Sequence, residues 1–264
     1  MELLYNLLLV KDQVLFKNDQ FYTAVDQQLM AHCEQLTAAG TPPFLKQVNK
    51  DWRSSYTNWY GLYDTDRALL QSLNGKAIMD VGAYIGDTLL LWRDLFPQSQ
   101  FYAFEPSAYG YDYMCHMLKA DIDAGRLHAY KQGVGDKAGT LNLKHTQVGA
   151  AAFSLRDDVP LPTPEQEQVE VITLDDFVAE HQLQVGLIKA DVEGFEPEVV
   201  RGALNTIKTQ KPVLILATYH TAEEYYELKP YLESLNLGYE FKLRRSCFSN
   251  PYSDLVLIAL PKQH

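Results

Sequence analysis

The spacing of apolar residues divides the chain into two parts with different predicted structures. In the first part, segments such as "LLYNLLLV" and "FYTAVDQQLMAHCEQL" carry apolar residues at helical spacing, with a break at "GTPPFLKQVNK". Beyond it, short apolar runs alternate with amphipathic segments. We therefore predict a helical N-terminal extension over residues 1–74 and a separate domain over residues 75–264.

The second part predicts an alternation of strands and helices. The runs that predict strands include "AIMDVG", "FYAFEPS", "LHAYKQGVGD", "VGLIKADVEG" and "PVLILATYH". Near-continuous apolar runs are typical of strands covered on both faces, as in parallel sheets. Their alternation with helices predicts a doubly wound α/β fold. The last two strands, "YEFKLRR" and "DLVLIALP", are joined by a segment too short for a usual parallel crossover, so we expect the last strand to be antiparallel.

Two helix starts carry polar residues suited to that position. Thr221 and Glu224 are spaced as a capping box, in which each side chain bonds the backbone of the other residue. Glu196 lies favourably near another helix start, and Pro197 suits the first helical position. These residues are therefore predicted to define where the two helices begin.

Composition and charge limit the kinds of partner that we expect. Of 264 residues, 47% are hydrophobic, which is enough for a substantial core. The formal net charge is −11, and an acidic surface repels phosphate backbones, so we expect no nucleic-acid partner. No apolar run is long enough to span a bilayer, and Glu2 stands where a signal peptide would carry Lys or Arg. We therefore expect a cytoplasmic protein without a membrane partner.

The cysteine pattern agrees with a reducing environment. Cys33, Cys115 and Cys247 are odd in number, widely spaced and without a CxxC pair. This pattern argues against a disulfide framework and against a zinc ribbon. We expect all three to be reduced, and the sequence carries no signal for an oligomeric state.

A glycine turn follows the first predicted strand. In "IMDVGAYIGDT", Gly82 and Gly86 come after Asp80. Glycine at such a turn lets the backbone approach a ligand, and the N–H groups of the following helix start then face it. The turn lacks the GxGxxG spacing of dinucleotide-binding loops, so it does not specify a pyrophosphate. An ordinary strand-to-helix loop is the alternative interpretation.

Acidic residues follow the next two predicted strands. Glu105 ends the second strand, where an acid can accept both ribose hydroxyls of a nicotinamide or adenosyl cofactor. In "GVGD", Gly135 and Asp136 end the third strand, where the backbone and the carboxylate could lie near an adenine. A solvated glutamate and a plain turn are the alternative interpretations.

The segment "IKADVEGFEPE" places charges at the end of an apolar strand. Lys189, Asp191 and Glu193 alternate, so they share one face if the strand continues. Buried charges are costly unless they are paired or functional. His220 ends the next strand, and an imidazole can serve as a general base near neutral pH. The alternatives are an internal Lys–Asp pair and a hydrogen-bonded or capping histidine.

Together these motifs resemble the FkbM-type methyltransferases. "DVGAYIGDT", "AFEPS", "GVGD", "TLDDF", "IKADVEGFEPEVVRGA" and "TYH" occur in the order and spacing of that family, over about residues 76–260. "KADVEGFE" followed by "RGA" is the most specific element. The resemblance implies a class I methyltransferase fold, which is Rossmann-like with a doubly wound seven-stranded sheet and an antiparallel last strand. It implies S-adenosylmethionine as cofactor and O-methylation of a hydroxyl on a small molecule or saccharide.

The matched motifs also imply site residues. The implied cofactor-binding residues are Asp80, Gly82, Ala83, Tyr84, Gly86, Asp87, Thr88, Glu105, Pro106, Ser107, Val134, Gly135, Asp136 and Asp191. The implied catalytic residues are His220, Asp191, Glu193 and Lys189. Within the first set, the resemblance implies that Glu105 holds the ribose and that residues 134–136 border the adenine. Tyr84 departs from the family pattern, which more often has Asn at this position.

Other interpretations remain compatible with the sequence. The pocket could bind an adenosyl cofactor without catalysis, or the chain could be an NAD-dependent oxidoreductase, although the missing GxGxxG spacing counts against the latter. Asp191, Glu193 and His220 could hold a magnesium-like ion, but carboxylate clusters are more often metal-free, so we expect no metal. The aromatic residues of "WRSSYTNWYGLY" (52–63) are expected either to form an acceptor wall or to pack the extension onto the sheet.

Overall fold

The computed structural model describes residues 59–62, 65–145, 153–154, 167–245 and 255–262. Most of the predicted extension, most of the aromatic segment 52–63, and the residues Glu2, Cys33 and Cys247 lie outside these ranges. Two units are distinguished, one formed by Met1–Asp64 with Arg245–Leu255 and one by Thr65–Arg244 with Val256–His264. The candidate site belongs to the second, larger unit.

Helices and strands alternate along the larger unit. The strands are β1 (Ala77–Val81), β2 (Phe101–Phe104), β3 (Leu127–Tyr130), β4 (Gly133–Val134), β5 (Gly139–His145), β6 (Phe153–Ser154), β7 (Glu167–Ile172), β8 (Val185–Ala190), β9 (Val213–Ala217), β10 (Tyr239–Arg245) and β11 (Leu255–Pro261). The helices are α1 (Arg67–Leu73), α2 (Asp87–Leu95), α3 (Ala108–Met117), α4 (Lys119–Asp123), α5 (Leu174–Glu180), α6 (Glu196–Gly202), α7 (Leu204–Gln210) and α8 (Ala222–Ser234). A 3₁₀ turn at Trp59–Gly61 precedes them.

The main sheet has seven strands in the order β10-β11-β9-β8-β1-β2-β3. Strand β1 pairs in parallel with β2 and β8, β2 pairs in parallel with β3, and β8 pairs in parallel with β9. Strand β11 runs antiparallel to β9, which confirms the predicted antiparallel last strand. The strand order reverses between β1 and β8, and ligands of open α/β sheets bind at the carboxyl ends of such strands.

The centre of the sheet is an apolar core that is inaccessible to solvent. Every residue of β1, β8 and β9 is buried, as expected for strands covered on both faces. Apolar side chains such as Met79, Ile188 and Leu214 are almost wholly inaccessible, and each contributes about 1.5–3 kcal/mol through burial. Asp80 and Lys189 are the charged exceptions on these strands, and they lie opposite each other in the β1–β8 register.

A smaller sheet has the strand order β4-β7-β5-β6, and its first strand follows β3 in the sequence. Strand β7 is antiparallel to β5 and parallel to β4. Leu143, Val169 and Val171 form its core, and Phe195 packs against them.

Within the described residues no helix is both long and apolar enough to cross a membrane. Cys115 is a free thiol.

Candidate active site

The glycine turn after β1 is shaped by the segment that follows β8. Gly82 has a φ of +74°, and a Cβ atom at this position would lie 1.9 Å from the carbonyl oxygen of Asp191. The Asp191 amide in turn donates to the Val81 carbonyl at 3.0 Å. Only glycine combines this backbone conformation with this close approach. The turn therefore brings two sequence-predicted site residues, Gly82 and Asp191, into direct contact.

A buried ion pair supports the same turn. Lys189 Nζ lies 3.0 Å from Asp80 Oδ1 and donates to the Gly82 carbonyl at 2.8 Å. Burial raises the pKa of Asp80, while the Lys189 ammonium opposes that rise. Burial lowers the pKa of Lys189, but the carboxylates of Asp80 and Asp191 outweigh this effect and raise it. The internal Lys–Asp pair considered from the sequence is thus present, and it fixes the position of the turn.

Glu105 is held in a fixed orientation at the end of β2. Its Oε2 accepts a hydrogen bond from the Tyr84 amide at 2.8 Å. Its Oε1 accepts bonds from the Ser107 amide at 2.9 Å and the Ser107 hydroxyl at 2.5 Å. Burial raises the pKa of Glu105, and the bonds from Ser107 and Tyr84 oppose that rise. A carboxylate offers about four acceptor positions, so these three bonds leave capacity for one further donor.

The other implied cofactor residues occupy the surrounding loops. Ala83 and Thr88 are buried, Gly86 caps α2 and Asp87 begins it, and Pro106 precedes Ser107. Val134 ends β4 and Gly135 follows it, and both are buried. Asp136 is exposed. Burial raises the pKa of Asp87 to about 6, with Lys189 opposing the rise.

The "RGA" motif has a packing function beside the "GVGD" turn. A Cβ atom on Gly202 would lie 1.9 Å from the Gly135 carbonyl oxygen. Helix α6 can therefore approach the turn only because residue 202 lacks a side chain. This contact links the two motifs that carry much of the sequence resemblance.

His220 lies at the centre of four carboxylates. Its Nε2 is 3.5 Å from Asp191 Oδ1 and 3.7 Å from Glu193 Oε2. Its Nδ1 is 3.4 Å from Glu196 Oε1 and 3.6 Å from Glu224 Oε2. The imidazole is only 9% exposed, and Glu193 is the most accessible of the four acids at 33%. The structure therefore brings together the three residues predicted to face the acceptor and adds two further glutamates.

The two added glutamates also hold the backbone around the site. Glu196 accepts hydrogen bonds from the Val192 amide at 2.8 Å and the Gly194 amide at 3.1 Å, which closes the turn that carries Glu193. Glu224 accepts bonds from the amides of His220 at 3.0 Å and Thr221 at 3.2 Å, and the predicted capping box is present.

Sequence reasoning assigned Glu196 and Glu224 only to helix starts and missed their convergence on His220. The one local signal is the i,i+4 spacing of His220 and Glu224, which places both at the same end of α8. Nothing in the local pattern of Glu196 indicates that it faces a histidine from another strand end.

Burial and crowding alter the proton affinities of this cluster. Burial raises the pKa of Glu193 to about 7 and that of Glu196 to about 8, and His220 opposes both shifts. Burial lowers the pKa of His220, but Glu196 and Glu224 outweigh it and hold the pKa well above its usual range. Burial raises the pKa of Glu224, yet the neighbouring His220 imidazole and Glu196 carboxyl lower it on balance. The surrounding acids therefore favour the protonated form of the His220 imidazole.

Tyr219 orients one of the acids and was missed as a site residue, although the matched "TYH" motif contains it. Its hydroxyl donates to Asp191 Oδ1 and Oδ2 at 3.1 and 3.2 Å. Its ring also lies 4.0 Å from the His220 ring, centre to centre. Tyr219 thus fixes the carboxylate of Asp191 relative to the imidazole.

All of these groups lie at one rim of the main sheet. Gly82 follows β1, Glu105 follows β2, Asp191 follows β8 and His220 follows β9, and these four strands are neighbours that run in parallel. Because the carboxyl ends of parallel strands meet at the same edge, the glycine turn, Glu105 and the carboxylate cluster lie together at one edge of the sheet, where such folds form a crevice.

The comparisons with known proteins agree with this architecture. Residues 80–241 match the family described as methyltransferase FkbM domain. No protein with a curated description matches the chain at a significant level. The crystal structure of methyltransferase FkbM from Methylobacillus flagellatus KT is 18% identical, with a TM-score of 0.57 over 88% of this chain and 59% of that one. The present chain therefore spans about three-fifths of the length of that protein.

Two more distant solved structures are also similar. Precorrin-6y C5,15-methyltransferase from Geobacter metallireducens GS-15 is 14% identical, with a TM-score of 0.42 over 74% of this chain and 86% of that one. Aeropyrum pernix fibrillarin in complex with natively bound S-adenosyl-L-methionine is 12% identical, with a TM-score of 0.41 over 76% of each chain.

Proposed function

The chain belongs to the FkbM methyltransferase family, and from this premise we propose that it transfers the methyl group of S-adenosylmethionine to a hydroxyl oxygen of a small molecule or saccharide. The observation that carries the proposal is the convergence of the glycine turn, Glu105 and the Asp191–His220 cluster on one rim of the sheet. A cofactor site and a group of proton-accepting side chains are what such a transfer requires.

The side chains around the glycine turn suit the proposed cofactor. S-adenosylmethionine supplies an electrophilic methyl group on a positively charged sulfonium. Glu105 retains acceptor capacity for a ribose hydroxyl, and the bonds from Tyr84 and Ser107 fix its orientation in advance. Asp87 and Asp191 both interact electrostatically with Lys189, which supports the turn, and their carboxylates favour a cationic ligand. The donor and acceptor set is thus that expected for a ribose-bearing cation.

The residues after β8 and β9 are proposed to serve the acceptor. With the methyl donor bound, the acceptor hydroxyl would lose its proton to a carboxylate of the cluster, Asp191 or Glu193, which lie beside His220. Alignment of the acceptor is the larger contribution, since the methyl group is already electrophilic. A positioned proton acceptor contributes about 10²–10⁴-fold in similar reactions. Lys189 acts through the turn that it holds, because its ammonium is bonded to Asp80 and Gly82.

Calorimetry tests the cofactor part of the proposal. We expect S-adenosylhomocysteine to bind saturably and NAD not to bind. Glu105→Gln should weaken binding by about tenfold, because the amide offers one acceptor atom where the carboxylate offers two. Glu240→Gln, an exposed change on β10, is the matched control and should leave binding unchanged. Binding of NAD in preference to S-adenosylhomocysteine would replace the proposal with an oxidoreductase.

Mass spectrometry tests the transfer itself. The protein is incubated with labelled S-adenosylmethionine and pooled host glycans and metabolites, and the label is sought on oxygen. We expect Asp191→Asn to abolish labelling while S-adenosylhomocysteine still binds. Retained cofactor binding with no labelled product from any pool would instead indicate a non-catalytic adenosyl-binding protein.

A further inference from the structure

We propose that Asp191, Glu196 and His220 bind a divalent metal ion at the acceptor side of the crevice. One ligand atom from each of these residues lies within 4.8 Å of the other two. Ion–ligand bonds of about 2.1 Å place neighbouring ligand atoms about 3.0 Å apart and opposite ones about 4.2 Å apart. The 3.5 Å between His220 Nε2 and Asp191 Oδ1 falls within that range, and Glu196, whose Oε1 is 3.4 Å from the other ring nitrogen, Nδ1, completes the group of three within 4.8 Å.

The state of the imidazole is a second, independent observation. Both ring nitrogens of His220 are inaccessible to solvent and make no hydrogen bond. Their nearest carboxylate oxygens, at 3.4 to 3.7 Å, lie beyond the usual range of about 2.7–3.2 Å for a hydrogen bond. Buried polar atoms without such a partner are rare and often mark the place of an ion or a water. The separation between such a nitrogen and the nearest carboxylate oxygens is the one expected for two atoms that bind the same metal ion.

The charge around the imidazole also favours a cation. Four carboxylates converge on this single ring, and Glu196 and Glu224 are fully buried. A single imidazole faces all four acids, so the cluster gathers more acidic groups than one imidazolium can offset. A divalent ion at the Asp191 side would add positive charge beside these acids, and Glu193 lies close enough to His220 to join or to orient the set.

The ligand types indicate the class of ion. Two carboxylates and one imidazole suit Mg²⁺ or Mn²⁺, and no thiolate is present to select a softer metal. A carboxylate on the second ring nitrogen is the usual arrangement around metal-bound histidine, and Glu224 has its oxygen 3.6 Å from His220 Nδ1. Sequence reasoning expected no metal because carboxylate clusters are more often metal-free, and the set that it considered did not include Glu196.

The ion would also give the cluster a chemical role. A bound divalent ion lowers the pKa of a hydroxyl that contacts it, so the acceptor oxygen loses its proton more readily. This catalytic role rests on the proposed function, whereas the binding of the ion does not.

The test titrates chelator-treated full-length protein with Mn²⁺ and follows free Mn²⁺ by electron paramagnetic resonance. We expect one saturable site. Asp191→Asn and His220→Gln should each weaken Mn²⁺ binding by at least about tenfold. Glu223→Gln, an exposed acid in the first turn of α8, is the control and should change it by less than about twofold.

Several results would overturn the metal site. Absence of saturable binding at millimolar Mn²⁺ would show that protons alone occupy the cluster. Equal weakening by Glu223→Gln would reduce the binding to general surface charge. Circular dichroism verifies the fold of each variant, and Asp191→Asn suffices if His220→Gln does not fold. S-adenosylhomocysteine binding is measured on the same samples. Failure to bind S-adenosylhomocysteine would count against the proposed function and would not change the result for the metal site.

Discussion

Gly82→Ala tests whether the close approach of two chain segments organises the crevice. A methyl group at this position would lie 1.9 Å from the Asp191 carbonyl oxygen, whereas real Cβ atoms stay at least 3.0 Å away. The carbonyl must therefore move by about 1 Å, and the residue must keep a φ of +74°. A left-handed conformation costs an alanine about 1–2 kcal/mol, and overpacking adds about 1–3 kcal/mol.

Gly238→Ala separates these two costs. Gly238 has a nearly identical φ of +77°, but nothing lies within 4 Å of the position that its Cβ atom would take. We expect Gly238→Ala to lower the free energy of unfolding by about 1–2 kcal/mol, from conformation alone. Gly82→Ala should lower it by about 2–5 kcal/mol, and the difference between the two variants measures the contact with Asp191.

Urea denaturation followed by circular dichroism gives both values, and calorimetry with S-adenosylhomocysteine adds a functional measurement. Gly82→Ala should weaken that binding by at least about tenfold, since a displacement near 1 Å spoils a positioned site, whereas Gly238→Ala should not alter it. Equal losses of stability in the two variants, with unchanged ligand binding in both, would refute the inference that the Gly82–Asp191 approach shapes the site.

Three further changes probe the supports of the crevice. Lys189→Met removes one partner of a buried ion pair and should lower the free energy of unfolding by about 3–5 kcal/mol in urea denaturation. A loss below about 1 kcal/mol would show that the buried Asp80 carboxyl does not need the Lys189 ammonium for its stability. Tyr219→Phe removes the donor to Asp191 and should cost about 0.5–1.5 kcal/mol in the same assay, with no loss expected only if water replaces the hydroxyl. Asp87 has a folded-state pKa raised to about 6, so its contribution to stability is present below about pH 4 and is lost as the pH rises through 6. Asp87→Asn should therefore flatten the fall in unfolding free energy between about pH 4 and pH 6, and an unchanged slope would contradict the shift.

The parallel direction of the central strands and their common rim were predictable from the sequence. Apolar runs alternating with helices indicate parallel strands, and the carboxyl ends of parallel strands share one edge. Gly82, Glu105, Asp191 and His220 each follow a strand, so their meeting follows from the fold class alone. The short connection before the last strand likewise predicted its reversed direction.

Register and side-chain convergence were not predictable in the same way. The pairing of Asp80 with Lys189 depends on the alignment of β1 with β8, which is set by packing across the whole sheet. Glu196 and Glu224 cap different helices, and only the folded chain shows that both face His220. Local patterns report where an element begins, whereas these contacts join segments that are distant in the sequence.

Phe195 has a consequence for how this protein could diversify. It follows directly on the turn that carries Glu193, and its ring is seated in the small sheet against Leu143, Val169 and Val171. The same small sheet includes β4, whose Val134 is one of the implied cofactor-binding residues, and a Cβ atom on the following Gly135 would lie 3.0 Å from the Phe195 ring. Substitutions in this sheet are therefore expected to alter the proposed acceptor side and the proposed cofactor side together, so that the two would not diversify independently.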